Sequence, residues 1–104
     1  MRKVNVALER KFKAELKETL KERFPGCVLF DLNPNDIQGV SDMLILYKST
    51  WAMLECKRES TSPHRPNQDY YVEQFNDMSF AAFIFPENKE EVLNALESAL
   101  KSRG

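Results

Sequence analysis

The chain has 104 residues, 42% of them hydrophobic and 30% charged, with a formal net charge of −1. That suffices for one domain, residues 1–104, with a single modest core and the composition of an ordinary globular protein. It excludes a membrane span, which needs an apolar run of ~20 residues, and a generic DNA-coating protein, which would be strongly basic.

The opening stretch MRKVNVALERKFKAEL is charged too regularly for a signal peptide. Cys27 and Cys56 are the only cysteines. With no histidine near them they make no zinc site, a structural disulfide is not expected, and a reducing cytoplasm is the default setting.

Leu8, Phe12, Leu16, Leu20 and Phe24 recur every four residues, which predicts one helix over 5–24, stopped by Pro25-Gly26. Glu9 falls near the centre of that apolar arc, whereas Glu15 and Glu22 lie toward a margin and Glu18 roughly opposite. Glu9 either favours the dipole at the helix start or faces the strand ends. Arg23, also on the stripe, is long enough to snorkel. CVLFDL over 27–32 reads as a first strand, ended by the turn-rich 33–36. Gly39 provides an unusual dihedral, a close approach to a ligand, or a plain turn.

Met43 to Tyr47 is apolar throughout, as in a strand covered on both faces. A turn over 48–50 leads to its antiparallel partner, in which Met53, Glu55 and Lys57 share one face and Leu54 and Cys56 the other. Asp42 at the mouth of the first of these strands comes to the same end as Glu55. Two carboxylates and an ammonium then converge, which is a site for a hard metal ion with a cation beside it. A plain salt bridge between Glu55 and Lys57 is the simpler reading. Residues 58–66, RESTSPHRP, are polar, basic and proline-rich, hence a surface loop. Asn67 is the expected N-cap of a helix to about Asp77, with Tyr71, Val72, Phe75 and Met78 inward. FAAFIF over 80–85 is read as a central strand, covered on both faces. Asn88 and Glu91 form a candidate capping box for a last helix that buries Val92, Leu93, Leu96, Ala99 and Leu100. The crossover from the third strand through a helix to the fourth is expected to be parallel.

Asp42, twelve residues, then Glu55-Cys56-Lys57 resembles the motif of the PD-(D/E)XK nuclease superfamily, with Ser41 where the family has proline. The likeness extends to the order of elements and covers essentially the whole chain. It implies an α/β, restriction-endonuclease-like αβββαβ core, a mixed central sheet flanked by helices, plus a C-terminal helix. Within the superfamily the chain is most similar to archaeal-type Holliday-junction resolvases and small viral VRR-NUC domains. Glu9, followed by Phe12 and Leu16, looks like their opening helix, and Gly39-Val40-Ser41-Asp42 like their G-x-P-D. Gln68 matches a glutamine many of these nucleases carry there, although its spacing to Tyr71 is one residue short of the Q-x-x-x-Y of RecB-type exonucleases.

The resemblance implies a metal-dependent endodeoxyribonuclease acting on branched DNA, four-way junctions or flaps, in a bacterial, archaeal or phage-infected cell. A non-cleaving nucleic-acid-binding module on the same fold is the alternative. Asp42, Glu55 and the backbone carbonyl of Cys56 would hold one or two Mg²⁺ or Mn²⁺ ions, with Glu9 completing the set. Two such ions would shift the net charge to about +3. Lys57 would orient the attacking water and counter the transition-state charge, and Gln68 would bind a water or a phosphate oxygen. Lys11, Arg58, His64 and Arg65 are candidate phosphate contacts, each equally readable as solvated surface. Trp51, Tyr70 and Tyr71 read as core or interface. Cutting both strands of a junction takes two sites, so a two-fold homodimer is expected, and no membrane partner.

Overall fold

Apolar residues at every fourth position give α1 (Arg2–Arg23), which buries Phe12, Leu16 and Leu20, and Phe24 just beyond its end. The computed structural model describes residues 2–32 and 37–103, and the side chains of 8–32 and 37–102. The turn expected over 33–36 lies outside them. Leu8 is 48% exposed, so the apolar stripe outruns the surface it packs on by one turn. Gly26 takes a φ of 88°, which glycine adopts without steric cost, and the chain leaves the helix there. Arg23 does more than snorkel. Its guanidinium pairs with Glu90 at 2.7 Å and donates to Asn94 Oδ1 at 3.2 Å, tying the end of α1 to α3 (Lys89–Arg103).

Four strands, β1 (Val28–Asp31), β2 (Met43–Tyr47), β3 (Thr50–Cys56) and β4 (Phe80–Ile84), form one sheet in the order β1-β2-β3-β4. The first two pairings are antiparallel and the third is parallel. Tyr47 pairs with Thr50 across a tight turn in which Lys48 has a φ of 55°. The parallel pairing needs a crossover, and α2 (Gln68–Met78) makes it. The architecture is therefore α/β, with three helices and an open, mixed, four-stranded sheet.

Alternation along the strands divides the layers. Met43, Ile45, Tyr47, Ala52, Leu54, Cys56 and Ile84 form one cluster with the α1 stripe and with Val92, Leu93, Leu96 and Leu100 of α3. Each such aliphatic side chain contributes about 1.5–3 kcal/mol of burial. On the opposite face α2 packs over β3 and β4, where Phe75 meets Trp51 edge to face at 6.3 Å.

Two helices on one face and one on the other correct two expectations. β2 is not covered on both sides, since Leu44 is half-buried and Leu46 exposed. β4 is an edge strand rather than a central one. It reads as continuously apolar because α2 and α3 cover its two faces, and covered faces say nothing about whether both edges are paired.

The two helix caps also differ. Asn67 sits at the start of α2 in left-handed backbone, φ 69°, with no side-chain cap hydrogen bond. Asn88 does not close a capping box. Its Oδ1 accepts the Phe85 N–H at 2.8 Å and its Nδ2 donates to the Phe83 carbonyl at 3.1 Å, so it fastens the end of β4. Asparagine bonds nearby backbone in either direction, and sequence alone does not choose. No described helix is long and apolar enough to cross a membrane.

Candidate functional site

The site forms where β2 begins and β3 ends. Met43 pairs with Leu54, so Asp42 and Glu55 are the next pair of that antiparallel ladder. Asp42 leans across the junction, and its Oδ1 accepts the Cys56 N–H at 3.2 Å. The N–H and C=O of one strand residue point to the same edge, so the Cys56 carbonyl also faces the Asp42 side. Side-chain alternation sends the Cys56 thiol into the α1/α3 core, where burial pushes its pKa up, with the Asp42 charge adding to the effect. It is neither a nucleophile nor a disulfide partner in that setting.

Glu55 is 6% exposed, and its Oε1 is enclosed with no hydrogen-bond partner. Burial chiefly, and then repulsion from Asp42, push its carboxyl up to about 7, while Lys57 acts against the shift. Asp42 is likewise raised by burial, held back mainly by Lys13. A buried carboxylate with an unsatisfied oxygen beside a half-buried one makes a focus of negative potential.

Lys57 is 7% exposed, yet it does not form the simple ion pair with Glu55. Its Nζ donates to Gln68 Oε1 at 2.7 Å and to the Pro63 carbonyl at 3.1 Å, and lies 6.0 Å from the Phe83 ring centroid. Gln68, 5% exposed at the first position of α2, also takes the Arg65 N–H on that oxygen at 2.7 Å. Its amide oxygen is thus committed to Lys57 and to the incoming loop.

The second wall is a close backbone fit. Gly39 has a φ of 92°, and a Cβ there would lie 2.6 Å from Asn67 Cβ and 2.7 Å from the Pro66 carbonyl oxygen. Of the three readings of this glycine, the unusual dihedral holds, and the close approach is to the chain's own 66–67 segment. That contact sets the segment leading to Asp42 against the one leading to Gln68. Between them opens a cleft of about 680 Å³, whose lining includes Glu9, Asp42, Glu55, Lys57, Arg58, His64, Arg65 and Gln68.

Glu9 therefore faces the strand ends, and its charge adds to the upward shift at Glu55. The three carboxylates do not close up, however: among the described residues no group of three or more His, Cys, Asp or Glu stands near enough to hold a metal. Lys11 is exposed and outside the cleft, because two residues turn the helix by about 200° from Glu9. Arg58 pairs with Glu59 at 2.8 Å. His64 is not simply solvated, since its ring stacks on Phe83 at 4.1 Å and its Nδ1 lies 2.7 Å from Asp69 Oδ1. Arg65 is exposed, anchored to Gln68 through its backbone only.

One residue in the cleft was not anticipated. Lys13 Nζ lies 3.1 Å from Asp31 Oδ1 and 3.5 Å from Asp42 Oδ2, while Lys17 takes the other oxygen of Asp31 at 2.6 Å. The signal was available, because Lys13 follows Glu9 by four residues and so shares its helix face. No family model, curated protein or solved structure matches the chain.

Proposed function

We propose that this chain is a metal-dependent endodeoxyribonuclease of the PD-(D/E)XK type, hydrolysing phosphodiester bonds in branched DNA. The observation that carries the reading is the enclosed, unpartnered Oε1 of Glu55 beside the Asp42 carboxylate, at the end of the strand that Lys57 directly follows. A buried carboxylate oxygen lacking a donor is costly in its charged form, and either a proton or a bound cation relieves it.

The donor set fits Mg²⁺ or Mn²⁺. Such ions favour oxygen, keep several waters, and use only one or two carboxylates. Asp42, Glu55 and the Cys56 carbonyl would supply the ligands, so a third carboxylate is not needed, and Glu9 is left to hold a water at the rim. A bound ion would activate water and offset charge developing on the phosphate. Lys57 has three protons to give, and two are engaged by Gln68 and Pro63. The third is left for the scissile phosphate or the attacking water, in an orientation fixed by the other two. Arg65 and Arg58 at the mouth would contact flanking phosphates, which position DNA without reading its sequence. Cutting both strands of a junction requires two copies, so the active form would be a two-fold dimer.

Labelled four-way junction, flap, splayed-arm and duplex substrates, incubated with Mg²⁺ or Mn²⁺, test the proposal. Branched substrates should be nicked, and Asp42→Ala, Glu55→Ala or Lys57→Ala should each abolish nicking. Activity surviving all three substitutions would remove the reading. Binding to branched DNA without cleavage under either ion would favour a non-cleaving module instead.

A further inference from the structure

We infer that Lys13 is a built-in counter-cation, shared between Asp31 and Asp42 and drawn wholly onto Asp31 when a divalent ion takes Asp42. The inference rests on Asp42 and Glu55 being metal ligands. It begins with an asymmetry between these two acids. Glu55 has an oxygen with no partner, whereas both oxygens of Asp42 are engaged, Oδ1 by the Cys56 N–H and Oδ2 by the Lys13 ammonium. The backbone bond to Oδ1 belongs to the fold of the β2–β3 end, so Oδ2 is the oxygen most open to an incoming ion. It is the one Lys13 occupies.

An ammonium and a divalent cation repel each other across a shared carboxylate oxygen. Lys13 therefore competes with the ion, and Asp31 gives it an alternative. The Asp31 contact is the shorter of the two, 3.1 against 3.5 Å, and it lies at the end of β1, which β2 separates from β3. Lys13 is reached from α1 and has only to slide between two acids it already touches. Lys17, one turn further along the helix, holds the other Asp31 oxygen at 2.6 Å and keeps that acid in position to receive it. In this arrangement Asp42 has a counter-charge whether Lys13 or an ion supplies it, and binding the ion requires no larger rearrangement than one lysine side chain.

The test is Mn²⁺ binding to the full chain, by titration calorimetry and by thermal melts with EDTA or Mn²⁺. Lys13→Met should bind Mn²⁺ about tenfold more tightly than wild type, the scale set by removing a unit charge several ångströms from a divalent one. In EDTA the same variant should melt below wild type, because Asp42 loses its counter-charge. Asp31→Asn should act oppositely and weaken Mn²⁺ binding severalfold, as the displaced ammonium loses its acceptor. Unchanged or weaker Mn²⁺ affinity in Lys13→Met would overturn the inference. If wild type binds Mn²⁺ and Glu55→Gln abolishes that binding, such a result leaves the metal site standing and removes Lys13 alone. No Mn²⁺ binding by wild type would remove both.

Discussion

The Glu55 carboxyl is the most exacting place to test the site, because its cost should be measurable as stability. An ordinary glutamate titrates near 4.5, and burial with the neighbouring Asp42 raises this one to about 7. Below pH 4.5 the group is protonated in both folded and unfolded chains and costs nothing. Between 4.5 and 7 the unfolded chain loses the proton while the folded one retains it, so stability falls as pH rises through that window, then levels off above 7. A separation of roughly two and a half pH units corresponds to about 3 kcal/mol. Glu55→Gln keeps the shape and cannot ionise. Urea melts in EDTA at pH 5 and pH 8 should therefore show the variant gaining about 2 to 3 kcal/mol on wild type between the two, while other titrating groups largely cancel in the difference. At pH 8 the variant should melt higher by roughly 10 °C for a domain of this size. Parallel stability profiles for wild type and Glu55→Gln across that range would show that Glu55 is neither buried nor crowded as described, and the proposed metal site would lose its basis.

Four further substitutions probe the supports. Gln68→Ala removes one of two acceptors from the enclosed Lys57 ammonium; it should cost about 2 kcal/mol in denaturant melts and reduce nicking beyond any loss of folded protein. Gly39→Ala forces a Cβ against Asn67 and Pro66 at a positive φ, so a loss of about 2 kcal/mol is expected; Asn67→Gly relieves one of the clashes and should recover part of it. Ser41 carries a fully buried hydroxyl without a partner, and Ser41→Ala should leave stability unchanged or raise it by about 1 kcal/mol in the same melts.

The sequence showed the local structure and the pairing of Asp42 with Glu55 because both follow from short-range periodicities. A four-residue apolar repeat makes a helix face, and two apolar runs separated by a tight turn make a hairpin whose open end must bring these acids together. It misplaced β4 because an apolar run records covered faces and is blind to edges. The real partnerships of the cleft are set at a third level. Gln68 and Lys57 are eleven residues apart in the chain, and which group Gln68 holds depends on how the 58–66 loop folds back. That loop is fixed in turn by a backbone contact with Gly39, for which no side-chain pattern exists. Lys13 occupies an intermediate place. Its helix face is legible from Glu9, but its role depends on both Asp31 and Asp42 being within reach, and only the β1–β2 register of Asp31 with Met43 brings those two acids side by side. A charged residue on the face of a helix that looks toward strand ends is thus best read against every acid the sheet register delivers there, since the arrangement of those acids decides whether it is surface, ligand or counter-charge.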